Sequence, residues 1–150
     1  MDNYDRAILR HIQSEPDLTT ADLAARVGLS QTPCWRRLKT LETTGVILGR
    51  AVLLDPAKVG YPVSVIAHVR IAGHDEVTLE GFETQVCAHP EIVECFSMSG
   101  DSDYLMRIVA RSIEDYERFL KKVLLHLPGV SAVNSSFALK QVKATTDLPV

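Results

Sequence analysis

Cysteine is scarce in this 150-residue chain: Cys34, Cys87 and Cys95 are an odd number at wide spacing. That excludes a disulfide framework and suits free thiols in a reducing compartment. Long apolar runs are missing too, and none approaches the ~18 residues needed to span a bilayer. The opening Met1-Asp2-Asn3-Tyr4-Asp5 is acidic and has no apolar signal core, so a cytoplasmic location is expected. There is no Gly-rich phosphate loop, no Gly-x-Ser-x-Gly and no paired acid/base set, so nothing points to an enzyme or a cofactor. Cys87-Ala88-His89 with Cys95 has metal-like spacing. Only three candidate ligands gather there, on a helix end and a strand, and buried thiols are the expected reading, with no metal. Net positive charge is also lacking: the formal charge is −3, which speaks against a uniformly basic nucleic-acid binder.

What is present is an ordinary globular composition, 46% apolar and 23% charged, long enough for one domain or two small ones. The charge is segregated. Residues 1–50 hold 7 Lys+Arg and 6 Asp+Glu, a net +1, which leaves −4 for residues 51–150. Within 31–50, Arg36, Arg37, Lys39 and Arg50 face only Glu42. A small basic patch on an acidic body suits a DNA-reading head joined to a domain with another task.

Helical spacing governs the first fifty residues. Asp2 is placed to cap a helix over about 3–13, with Ala7, Ile8 and Ile12 on one face. Pro16 ends that pattern. Thr19 and Asp22 resemble a capping box opening a helix over Thr20 to Val27, and Gly28 allows a tight turn. Ser30 is expected to cap a third helix to about Thr44, with Cys34, Leu38 and Leu41 as its buried stripe. Two short helices joined by a Gly turn, the second rich in basic residues, make a helix-turn-helix over about 20–44. Residues 46–48 and 51–54 read as extended, either a wing or a linker strand, and breakers at Asp55-Pro56 and Gly60-Tyr61-Pro62 mark a boundary.

The remainder alternates strand and helix. A strand at 63–71 carries Val63, Val65, Ala67, Val69 and Ile71 on one face. A helix follows over about 77–88, then strands at 92–99 and 103–110 around a Gly100-Asp101-Ser102 turn. Ser112 caps a helix with Ile113, Tyr116, Leu120, Val123 and Leu127 in phase, and a last strand covers about 131–142 before a polar tail. The order βαββαβ is the ferredoxin-like pattern. The expected fold is therefore α+β: a winged-type helix-turn-helix domain at 1–55, a linker at 56–62, and a ferredoxin-like domain at 63–150. Both helices of that domain must pack on one sheet face. Phe96, Met98, Tyr104, Met106 and Ile108, or their alternates, would leave the other face apolar, and a second copy is the cheapest cover, so a homodimer is expected.

Two constellations carry the functional reading. With Cys34, Leu38 and Leu41 turned inward, the third helix presents Ser30, Gln31, Thr32, Trp35, Arg36 and Lys39 outward, with Arg37 beside them. In a helix-turn-helix this end enters the major groove. Gln31 suits a bidentate contact to adenine, Thr32 or Trp35 a thymine methyl or a sugar, and Arg36, Arg37 and Lys39 phosphates. Cys34 lies on the buried stripe and reads as a core residue rather than a sensor thiol. The second constellation is Ser99-Gly100-Asp101-Ser102-Asp103-Tyr104. Read plainly it is a hairpin turn; as a ligand loop, its backbone N–H groups suit an α-carboxylate and Asp101 or Asp103 an α-ammonium.

These residues resemble the leucine-responsive regulatory protein/asparagine-operon regulator (Lrp/AsnC) family of transcription factors over nearly the whole chain. The carriers are Asp5-Arg6-x-Ile8-Leu9, Leu23-Ala24-x-x-Val27-Gly28-Leu29-Ser30, Thr32-Pro33-Cys34-x-x-Arg37-Leu38-x-x-Leu41, Gly45-Val46-Ile47, Ser99-Gly100-Asp101-x-Asp103-Tyr104-Leu105 and Leu127-Pro128-Gly129-Val130. The resemblance implies an amino-acid-sensing C-terminal domain, dimers assembling into tetramers or octamers on double-stranded DNA, and an effector held between dimers. It assigns the effector site to Gly100, Asp101, Asp103 and Tyr104 with Ser136, Phe137 and Ala138 of the last strand. Thr32-Pro33-Cys34-Trp35-x-Arg37-Leu38-Lys39, Leu53-Leu54-Asp55-Pro56, Asp103-Tyr104-Leu105-Met106-Arg107, Ser135-Ser136-Phe137-Ala138 and, at the end, Thr145-Thr146-x-Leu148-Pro149 are similar to the branch of cysteine-responsive detoxification regulators. That makes cysteine or a related sulfur amino acid the leading effector. The rival reading is a DNA-organising protein of the same fold with no effector.

Overall fold

The structure, a computed structural model, describes residues 1–150, which divide into two compact units. The first comprises Met1–Leu53 together with Val142–Val150, and the second Leu54–Gln141. Residues 142–150 pack with the first unit, across the boundary expected for the domain at 63–150. They carry too little apolar surface to show a period of their own; Val150 joins the core of the first unit, while Val142 and Leu148 stay exposed.

Helices α1 (Asn3–Ser14), α2 (Thr20–Val27) and α3 (Gln31–Thr43) build the first unit. The Asp2 carboxylate accepts from the Asp5 N–H while Asp5 accepts from the Asp2 N–H, a reciprocal capping box. Thr19 accepts from the Asp22 N–H and donates its hydroxyl to the Asp22 carboxylate. Gly28 takes φ +70°, a left-handed conformation costly for any residue with a Cβ, and turns the chain from α2 to α3. Ile8, Leu9, Leu23, Ala24, Val27, Cys34 and Leu41 form the core, with Ala7, Ile12 and Leu38 packed at its margin. No strand forms between Thr43 and Val63: the expected wing or linker strand is unpaired backbone, and Leu48, Val52, Leu53 and Leu54 are exposed. An apolar run without a neighbouring edge to pair with has no reason to become a strand.

The second unit is a four-stranded antiparallel sheet of β1 (Val63–Ile71), β2 (Ile92–Ser97), β3 (Tyr104–Ala110) and β4 (Val130–Phe137), in the order β2-β3-β1-β4. Its helices are α4 (Glu76–Ala88) and α5 (Ile113–Lys122), the second followed by a 3₁₀ turn at Leu124–His126. This is the ferredoxin-like βαββαβ architecture. The odd-numbered β1 residues alternate inward as expected, joined by Phe82, Val86, Tyr116, Leu124 and Leu127 from the helical segments. Tyr104, Met106 and Ile108 also lie under the helices, not on the bare face. Their alternates take that face: Leu105 pairs with Phe96 and His68, Arg107 with Glu94 and Ile66, and Val109 with Ser64. The open face carries Phe96, Leu105, Val109 and Ile66 around the Arg107–Glu94 ion pair, and is polar toward His68, Arg70 and Asn134.

Candidate functional site

Side-chain capping separates α3 from the other helices. Asp2, Thr19, Asp75 and Ser112 cap α1, α2, α4 and α5, and each of those helices carries an acid in its first turn. Helix α3 has neither: Ser30 sits at the cap position with extended backbone but makes no side-chain bond, and no acid follows. The expected Ser30 cap does not form. Pro33 contributes no N–H, so Gln31 and Thr32 present free backbone donors at an unneutralised positive helix end, an arrangement that attracts phosphate.

Gln31, Thr32, Trp35, Arg36 and Lys39 are exposed along this end, Trp35 by 53%. The Arg36 guanidinium makes no ion pair, and Lys39 holds only an exposed pair with Glu42 at 3.3 Å. Arg37 is placed differently. Its Nη1 donates to Asp2 at 2.7 Å and to Asp5 at 2.8 Å, and its guanidinium lies 5.4 Å from the Tyr4 ring centroid. The Asp5 N–H and, after it, Arg37 hold the Asp2 carboxyl below its ordinary range. Arg37 thus fastens α3 to the start of α1, a use that spacing alone did not reveal because its partners lie 32 and 35 residues away. Cys34 is fully buried, and burial pushes its thiol pKa up, as expected for a core residue.

In the second unit the turn before β3 is fixed by the backbone. Met98 N–H donates to Asp103 O, and Asp103 N–H donates to Val69 O. Gly100 takes φ +119°, which side-chain-bearing residues rarely adopt. The two acids of the turn differ. Asp103 is occupied: one oxygen accepts from Ile71 N–H and the other contacts His74 Nε2, both at 2.8 Å. The Ile71 bond first, then His74, holds its pKa below the ordinary carboxylate value. Asp101 has a free carboxylate, while its carbonyl accepts from Arg70 Nε at 2.8 Å. Of the two acids offered for an ammonium, only Asp101 is available. Tyr104 points into the core against Phe82 and donates to Glu83 at 2.7 Å. Burial and Glu83 push its pKa up to about 12. It supports the turn from beneath.

Around Asp101 lies an open groove of 510 Å³ lined by His68, Arg70, Ser102, Ala132, Val133 and Asn134. Sequence reasoning missed His68, Arg70 and Asn134. The available signal was the polar pair at i, i+2 ending the even-numbered face of β1. Ser136, Phe137 and Ala138 are not in this groove. Tyr104 pairs with Val69 and Phe137 with Val65, so the two halves of the expected effector set lie about 13 Å apart along β1. Phe137 packs edge-on against Tyr116, and Ser135 bonds the Tyr116 hydroxyl at 2.5 Å. Near Cys87 and Cys95 no group of three or more metal-ligating side chains gathers. Burial pushes the Cys95 pKa up to about 11, which makes it a poor nucleophile.

An exposed basic second helix on a helix-turn-helix, with a separate α+β unit that carries a polar groove, defines a DNA-binding regulator with a ligand-binding domain. Residues 1–47 match the winged helix-turn-helix DNA-binding model, and residues 64–148 match the Lrp/AsnC ligand binding domain. The chain belongs to the Lrp/AsnC family of transcriptional regulators, and its two domains are those of a regulator, not an enzyme. It is 38% identical over 150 residues to the DNA-binding transcriptional activator DecR of Escherichia coli (strain K12), covering 100% of this chain and 99% of that protein. An AsnC family transcriptional regulator from Agrobacterium tumefaciens superposes with TM-score 0.94 at 46% identity, covering 99% of this chain and 97% of that one. A transcriptional regulator from Neisseria meningitidis in complex with L-Met does so with TM-score 0.94 at 36% identity, covering 99% and 96%. No helix is long and apolar enough to cross a membrane.

Proposed function

We propose that this regulator senses a small sulfur-containing amino acid, cysteine or a close relative, in the groove at Asp101, and that the bound state sets its grip on DNA. The observation that carries the reading is the groove itself. The free Asp101 carboxylate is placed to hold an α-ammonium and the Arg70 guanidinium an α-carboxylate, with Asn134 and His68 beside them. That is the charge pattern of a zwitterion, in a space within the range of small-molecule sites. The Neisseria relative, crystallised with L-Met, supports the sulfur amino acid class.

On DNA, the free N–H groups of Gln31 and Thr32, with Arg36 and Lys39, contact phosphates, while Gln31, Thr32 and Trp35 face base edges. Ser30, at the start of α3, stands at the mouth of the DNA major groove. The apolar half of the open sheet face, Phe96, Leu105, Val109 and Ile66, packs against a second copy, and dimers assemble further to tetramers or octamers. Two heads on one dimer then read half-sites about one helical turn apart, or a multiple of it.

The test is a thermal-shift screen of the purified chain against the twenty amino acids in reducing buffer, with hits confirmed by calorimetry. A ligand at a hundred times its dissociation constant stabilises the folded state by about 2.7 kcal/mol. A hit among the sulfur amino acids supports the reading. A hit elsewhere moves the effector class, and no hit favours an effector-independent DNA-organising protein.

A further inference from the structure

The chain leaves the helix-turn-helix unit at Leu53 and returns to it at Val142. The return is specific. Gln13 Nε2 on α1 donates to Leu148 O at 3.1 Å, and Leu148 N–H donates to Gln13 Oε1 at 2.7 Å. One side-chain amide thus satisfies both backbone groups of a single residue, as a neighbouring strand would. One turn earlier on α1, Arg10 Nη1 donates to Val150 O at 3.2 Å, and the Val150 side chain packs against the core formed by Ile8 and its neighbours. Val150 N–H in turn donates to Leu148 O, and Asp147 N–H to Thr145 Oγ1, so the segment holds its own shape where it docks.

Between the end of β4 at Phe137 and the start of this segment lie residues 138–141, which span at most about 14 Å. Ser136 and Phe137, placed among the effector-responsive positions, are therefore a few residues from a strap fastened to the DNA-reading unit. We propose that the Arg10–Gln13 face of α1 is a docking surface for residues 142–150. The docked segment is a second tether that restrains the head and carries the state of β4 into it. The coupling half of this proposal rests on the reading of the second unit as the effector domain. A ligand shifts DNA affinity only through a free-energy difference between states, and a short strap that must stay docked or peel away supplies one.

The experiment uses the full chain with Gln13→Ala and, separately, Leu148→Pro, which removes the N–H donor. Neither residue belongs to the DNA-contacting or groove set. Amide hydrogen exchange is first measured without any amino acid. The parent should protect the amides of Leu148 and Val150, residue 149 being a proline with none; Gln13→Ala should exchange both, and Leu148→Pro the Val150 amide it retains, about tenfold faster or more. Affinity is then measured for a duplex selected from random sequence by the parent, with and without L-cysteine and, separately, L-methionine. The expected result is a parent affinity that changes with one of them, and variants that bind that amino acid as tightly by calorimetry while their affinity ratio falls toward one. Variants that release the segment yet keep the full ratio overturn the coupling. Unprotected amides in the parent overturn the docking. A parent whose DNA affinity ignores both amino acids instead refutes the sulfur amino acid reading, and exchange alone then decides whether the tether exists.

Discussion

Arg36 and Arg37 are neighbours in sequence and opposites in use, which gives a comparison with a built-in control. Arg36 is exposed and unpaired on the end of α3 proposed to face DNA, whereas Arg37 is spent on Asp2 and Asp5. Each phosphate contact adds about 0.9 to the slope of log K against log salt, because neutralising a phosphate releases a condensed counterion. Arg36→Ala should flatten the slope by about 0.9 for each engaged head, or about 1.8 for a dimer with both heads on DNA. Between 50 and 200 mM salt the variant then loses about twelvefold less affinity than the parent. Arg37→Ala should leave the slope unchanged and lower the melting temperature, because it removes the link between α3 and α1 and leaves two carboxylates facing each other. The assay is fluorescence anisotropy on a selected duplex over a salt series, run well below the melting point of both variants. The reasoning fails if Arg37→Ala flattens the slope and Arg36→Ala does not, since the guanidinium bound to Asp2 would then be the one on the phosphate.

Four further outcomes are expected. Asp101→Ala should abolish the response to the amino acid while leaving effector-free DNA affinity intact, read by the same anisotropy assay; equal loss of both would make the turn structural. Asp103 has a lowered folded-state pKa, so its contribution to stability is fully present above the ordinary carboxylate value and disappears as pH falls through the lowered value. Melting temperatures measured down that range should fall less in Asp103→Asn than in the parent. Leu23→Ala empties a fully buried site in the small head and should cost about 2–5 kcal/mol in denaturant unfolding. Phe96→Glu puts a charge on the apolar half of the open face and should shift sedimentation from dimer or higher assembly toward monomer; an unchanged profile removes that face from the interface.

Much of the fold was legible because short-range chemistry punctuates it. Thr19 and Gly28 bracket α2 at its observed ends, and the alternation from Val63 to Ile71 marks β1 residue for residue. Where the sequence was silent, the deciding partner is distant. Arg37 looked like a phosphate contact until Asp2 and Asp5 closed on it. Leu148 and Val150 read as a polar tail because their partners, Gln13 and Arg10, lie about as far away as the chain allows. The sequence leaves open whether Tyr104, Met106 and Ile108 or their alternates take the bare face, because β3 is apolar on both faces, and only the register with β1 assigns them. The same limit hid His68 and Asn134, which become partners through the β1–β4 pairing.

The separation of Asp101 from Phe137, both proposed to respond to the effector, bears on regulation. Within one chain, Asp101 and Phe137 stand at opposite ends of β1, too far apart for one amino acid of ordinary size to touch both. If both respond to the effector, either a second copy completes the site or Phe137 responds indirectly. In the first case affinity for the amino acid must depend on assembly, and by linkage the amino acid must shift assembly by the same factor. In the second, the Phe137–Tyr116 contact and the strap beyond β4 carry the change, and coupling persists in a protein held dimeric. Measuring effector affinity over a range of protein concentrations separates the two: a dissociation constant that falls as copies associate places the site between chains, and one that stays constant places it in the Asp101 groove of a single chain.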